Sequence, residues 1–155
     1  MLALSIAIHV AGTLEIVRMT IALTERTRRA ARRSRGIRLG IFILAVWMIV
    51  LVHLTELAVW AGFFVWKDAQ PNAFSAFYNA ILNYTTLQAG YLPLRWRLLE
   101  GMLAITGLLT FAFSGMALYA LGAKYVEEWV QIAKRRREEL GSTSSASADG
   151  PDDAA

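Results

Sequence analysis

Three long apolar runs, separated by charged or turn-rich segments, constrain this chain more than anything else in it. They cover residues 1–23, 39–66 and 101–123, and each reaches the roughly 20 residues that a helix needs to cross hydrocarbon. The second run is interrupted by ionisable groups only at His53 and Glu56, and the third carries no charge at all. In a chain of 155 residues that is 56% hydrophobic, too little polar surface remains to bury such runs in water. The expected solvent is a lipid bilayer. Lipid admits only helices and closed barrels, because every backbone polar group must be satisfied internally, so the expected fold class is an all-α membrane protein with three transmembrane helices.

The charges between the runs set an expected orientation. Residues 26–38, RTRRAARRSRGIR, hold seven arginines in thirteen positions, and KRRR at 134–137 follows the third run. Basic loops stay on the cytoplasmic side, which puts the N-terminus and residues 67–97 outside and the C-terminus inside, across the cell's inner membrane. A signal peptide carries its positive charge before its apolar core; here the charge follows, so the first run is read as a retained helix. The expected organisation is a first transmembrane helix (1–23), an Arg-rich cytoplasmic loop (24–38), a membrane domain (39–123), a juxtamembrane helix (124–140) and a tail (141–155). The helix of 124–140 either lies on the anionic inner leaflet or bundles with other copies. The tail is small, polar and acidic, with too little apolar area to offset chain entropy, and is expected to be disordered.

Composition also excludes function classes. With no cysteine there is no disulfide, thiolate metal site or cysteine nucleophile. His9 and His53 are the only histidines, so no metal site and no cofactor are expected, and nothing resembles a nucleophile with its base. An enzyme is therefore not expected. The net charge of +4 lies in blocks beside apolar runs, the pattern of membrane topology, and no nucleic-acid partner is expected.

Residues 67–97 are not loop-like throughout. In NAFSAFYNAILNYTTL, Phe74, Phe77, Tyr78, Ile81 and Leu82 recur with helical period after Pro71 and Asn72, a start signal. A helix of about three turns cannot cross a bilayer, and its profile is that of a re-entrant segment. Irregular backbone at membrane depth survives only inside protein or along a watery cavity, so the following TTLQAGYLPL should line something aqueous. One chain cannot enclose a pore with these elements, which leads to the expectation of a symmetric homo-oligomer.

This frame resembles the pore domain of the potassium channel superfamily, in the small bacterial form with one extra N-terminal helix. That group carries Thr-Thr-Leu-Gly-Tyr-Gly-Asp followed by Trp-Arg-Leu-Leu. Here the chain reads Thr85, Thr86, Leu87, Gln88, Ala89, Gly90, Tyr91 and then Trp96, Arg97, Leu98, Leu99, while HLTELAVWA at 53–61 resembles the outer helix. The resemblance implies a re-entrant pore helix, a filter-like loop at Thr85–Tyr91, a tetramer and bound monovalent cations. Gln88 and Ala89 replace the family's first glycine and tyrosine, so a four-site potassium filter is not expected. A wider neutral ring of Gln88 amides and Thr86 hydroxyls is expected instead, conducting monovalent cations with altered selectivity. The alternative is a channel-like subunit that conducts nothing and serves a regulatory or structural role.

Other positions stand out chemically. His53 and Glu56, three residues apart inside a span, are either a structural pair with Glu56 bonded to the back of the pore helix, or a proton-linked device. His9 is expected to be a satisfied interface residue, and Glu15 with Arg18 a local pair. Thr106, Thr110 and Ser114 form one stripe at intervals of four. They either line a cavity or bond to carbonyls one turn back.

Overall fold

In a computed structural model the described residues are 1–27, 35–87, 90 and 92–148, with only some side chains described after residue 123. Among them are four α-helices and no strand: α1 (Leu2–Arg26), α2 (Arg35–Trp66), α3 (Ala73–Tyr84) and α4 (Arg97–Ala148), the last preceded by a 3-10 turn at Leu94–Trp96. Three stretches, Leu2–Arg26, Gly36–Trp66 and Leu94–Ala123, are long and apolar enough to cross a membrane. The chain divides into two units, Met1–Tyr119 and Ala120–Ala155.

Local chemistry sets the boundaries. The Asn72 side chain caps α3 by accepting the Ser75 N–H at 2.8 Å, as a residue of that type does ahead of a helix. At the other end of the preceding helix, the Phe64 carbonyl accepts the Ala69 and Gln70 amides at 2.8 and 3.3 Å, while Asp68 takes a left-handed φ of 50°. These bonds turn the chain from α2 into α3.

On α1, and in part on α3, the usual sidedness of a helix is inverted. The buried positions of α1 are Ser5, His9, Thr13, Ile16 and Thr20, four of them polar. On α3 the buried positions are Ala76, Asn79, Ala80, Asn83 and Tyr84, whereas Phe74 and Tyr78 are exposed and stack on one another. The helical period expected for α3 is present, but Phe74 and Tyr78 mark the outer face while Phe77 and Ile81 pack partly buried against the core. In hydrocarbon, apolar side chains lose nothing by facing outward, and small or hydrogen-bonding residues take the helix interfaces. Gly12 lets α1 approach α2, since a Cβ there would sit 2.9 Å from a Val52 methyl. An apolar core does form where Leu57, Trp60 and Phe64 of α2 meet Ala76 and Ala80 of α3 and Leu103 of α4.

In the second unit α4 runs to Ala148, eight residues into the segment expected to be disordered. Elongating an existing helix avoids the nucleation cost that an isolated segment would face. Val126, Val130 and Ala133 are exposed on this stretch. The side chains of Trp129, Arg135 and Glu139 lie outside the described ones, as do residues 149–155 and the arginine-rich segment at 28–34.

Candidate functional site

The interior of the first unit is organised around Glu56, whose side chain is fully buried. Its Oε1 lies 2.7 Å from His9 Nδ1 on α1, and its Oε2 accepts the Tyr84 hydroxyl of α3 at 2.6 Å. The Tyr84 hydroxyl also shares hydrogen bonds with His53 Nδ1 at 2.7 Å and Thr110 Oγ1 at 2.6 Å. Ser114 Oγ on α4 closes the figure, 2.9 Å from His9 Nε2 and 3.2 Å from His53 Nε2. The rings pack as well as bond: His53 stacks on Phe111 at 4.5 Å and meets Tyr84 edge-on. All six side chains are buried, and their hydrogen bonds are made inside the protein, as lipid requires.

The sequence expectations sort clearly on this geometry. Glu56 does bond to the short helix, through Tyr84. Its imidazole partner, however, is His9 and not His53. Both carboxylate oxygens are taken by His9 and Tyr84, and His53 reaches the ring through the phenol instead. On α4, Thr106 donates to the Met102 carbonyl and Thr110 to that of Thr106, the one-turn-back bonding of hydroxyls in apolar helices. The stripe of Thr106, Thr110 and Ser114 is buried inside the chain's own interior. Glu15 and Arg18 are exposed, 3.7 Å apart.

His9, His53 and Glu56 present ligand atoms within 4.8 Å of one another, although no metal site was expected. The 2.7 Å between His9 Nδ1 and Glu56 Oε1 is shorter than the roughly 3.3 Å that separates two ligands about 2.0–2.1 Å from a tetrahedral ion. The spacing is that of a hydrogen bond, and each of the donor atoms is engaged by a neighbouring side chain.

Beside the ring lies the polar turn. Helix α3 ends in a Schellman motif, the Leu87 amide returning to the Leu82 carbonyl at 2.8 Å and that of Thr86 to Asn83 at 3.0 Å. Thr86 occupies the left-handed position that glycine usually fills, with φ 60°, at a cost of about 1 kcal/mol or more. Thr85, Thr86 and Leu87 are exposed. Further on, Gly90 has φ 101°, and Glu100 in the first turn of α4 accepts two loop amides, Gly90 N–H at Oε2 and Leu92 N–H at Oε1, both at 2.7 Å. Gln88, Ala89 and Tyr91 lie outside the described residues. Gly107 sets how close α4 comes to this end of α3, for a Cβ there would be 2.0 Å from the Tyr84 carbonyl oxygen.

Sequence reasoning passed over Tyr84 and Glu100. Each had a signal: a phenol immediately before the Thr-Thr pair, and an acid at the head of an otherwise uncharged span. Comparison with protein-family models, with curated proteins and with solved structures found no match.

Proposed function

We propose that the chain is a pore-loop subunit that assembles as a homotetramer in the inner membrane and conducts monovalent cations, with the N-terminus outside. Thr85, Thr86, Leu87, Gln88, Ala89, Gly90 and Tyr91 form its ion pathway. The observation that carries this reading is the carboxylate of Glu100 drawing in the amides of Gly90 and Leu92 behind an exposed polar turn. In a planar trans peptide the carbonyl points away from the N–H, so amides gathered on one side favour carbonyls on the other, where a dehydrated cation would need them.

The short helix supports the same reading. Its 12 residues span about 18 Å, too little for a hydrocarbon core of about 30 Å, and it is joined to a span on either side. The negative end of its dipole falls at Thr85 to Leu87, which favours a cation there. Phe74, Tyr78 and Leu87, exposed in the single chain, supply apolar surface for neighbouring copies. In this reading Thr110 and Ser114 brace the loop from behind, through Tyr84 and the histidines. Reconstituting the purified chain in liposomes and measuring potassium, sodium and rubidium flux from pH 5 to 8 tests it. Flux of any of these ions above protein-free vesicles is expected. A silent preparation at every pH overturns conduction and leaves the structural or regulatory subunit.

A further inference from the structure

Five side chains contributed by all four helices close a ring: Glu56 to His9, His9 to Ser114, Ser114 to His53, His53 to Tyr84, and Tyr84 back to Glu56. Every one of these bonds needs a hydrogen between its two heavy atoms. The serine and tyrosine hydroxyls bring one each, two neutral imidazoles bring one each, and an ionised glutamate brings none. Four hydrogens cannot serve five bonds. With Tyr84 donating to Oε2, the deficit falls on the other links, and a lone pair faces a lone pair at one of them. Shifting the imidazole tautomers only moves that clash around the ring. Thr110 does not relieve it, because its single hydrogen can go only to Tyr84 or to the carbonyls of Thr106 and Gly107, and none of these bonds is a link of the ring.

We propose that this ring is a proton-binding site, holding one proton beyond the complement of an ionised glutamate and two neutral histidines, shared between Glu56 and His9. With that proton each member of the neutral ring donates once and accepts once. The cluster then also has no net charge, which a low-dielectric interior strongly favours. Without it, one link fails and a negative charge is left buried. The titratable groups facing the site are His9 from α1, His53 and Glu56 from α2, and Tyr84 from α3; α4 brings the hydroxyls of Thr110 and Ser114. Glu100, the remaining buried acid of α4, is ten residues from Thr110, roughly 15 Å along the helix, and is engaged by loop amides. Ser5 and Thr13, one turn to either side of His9, are buried hydroxyls that make no hydrogen bond and extend the polar strip of α1 away from the ring. Because Tyr84 is the last residue of α3, occupancy of the proton site fastens the end of that helix, whether or not the adjoining loop passes ions.

Proton linkage gives the test its sign. Above about pH 7 an unfolded glutamate is ionised and unfolded histidines are neutral, so the folded ring holds one proton more than the unfolded chain. Stability conferred by that proton is present at neutral pH and declines as pH rises, tenfold in the folding equilibrium per pH unit for one proton, until the folded ring releases it. Glu56→Gln supplies an amide that donates on one side and accepts on the other, imitating the protonated ring with nothing to release. Thermal unfolding of the purified full chain in detergent micelles, followed from pH 7 to 9 for wild type and E56Q, should show the wild type losing ground steadily against the variant. A difference that stays constant with pH overturns the proposal. Should E56Q fail to fold, solid-state NMR of the wild type at pH 8, assigned at Glu56 and His9, decides the matter. A protonated Glu56 carboxyl or a His9 imidazolium supports the site; an ionised carboxylate with a neutral His9 refutes it.

Discussion

Glu56 and Glu100 are both buried carboxylates with both oxygens engaged at 2.6–2.7 Å, yet they do different things. Glu100 faces two backbone amides. These can only donate, so an ionised carboxylate satisfies them fully and works as a clamp on the chain segment before α4. Glu56 faces an imidazole and a phenol, which donate or accept according to where their hydrogens lie, so its bonds are bound up with a proton. The role of a buried acid is thus decided by whether its partners have a fixed sense.

The sharpest separation comes from truncation. Glu56→Ala takes the partner from His9 Nδ1 and the acceptor from the buried Tyr84 hydroxyl and should cost about 2–6 kcal/mol, at about 1–3 kcal/mol for each, read as a large fall in melting temperature in micelles. Glu100→Ala should cost less, because Gly90 is exposed and water can take over its amide. Its main signature is faster hydrogen exchange at Gly90 and Leu92, and equal global losses for the two variants would break the comparison. Next comes Gly107→Ala, which drives a methyl into the Tyr84 carbonyl and should cost about 3 kcal/mol, the upper end for overpacking. Displacing Tyr84 should disturb the histidine NMR signals while leaving the Gly90 and Leu92 amides as protected as before.

Replacing each acid by its amide sharpens the contrast at smaller cost. Glu100→Gln must turn an NH2 group toward an N–H donor, losing a charge-assisted bond and leaving a donor unpaired, for about 2 kcal/mol. Glu56→Gln keeps one donor and one acceptor in the required places and should cost under about 1 kcal/mol at pH 7. If the glutamine at 56 were the more damaging of the two, Glu56 would be a clamp like Glu100.

Much of the frame was legible in the sequence because long apolar runs and the Asn72 cap act locally. Three spans, a short helix opening at Asn72 and its helical period all follow from neighbours in sequence. What was not legible depended on contacts across 26 to 105 residues, such as Tyr84 with Thr110 and His9 with Ser114. The spacing of His53 and Glu56 suggested a direct pair, whereas tertiary packing joins them only through a shared partner, the Tyr84 hydroxyl. Which face of α3 is buried was also hidden in part, since Phe74 and Tyr78 would be expected toward a core in water and face outward here.

A comparably small effect on stability is the most informative about the ring. Ser114→Ala removes the link between His9 Nε2 and His53 Nε2 and should cost only about 1 kcal/mol at neutral pH. Three bonds of the ring then remain: His9 to Glu56, Tyr84 to Glu56 and His53 to Tyr84. Two neutral imidazoles and one phenol bring a hydrogen to each of them, with Glu56 ionised. The opened ring no longer demands the extra proton, so the hydrogen-bond penalty for losing it disappears and only the buried charge resists ionisation. The decline of stability between pH 7 and 9 should therefore be shallower in Ser114→Ala than in the wild type. A serine that merely filled space would lower the melting temperature equally at every pH. Ser114→Thr, which keeps the hydroxyl, should restore the wild-type slope.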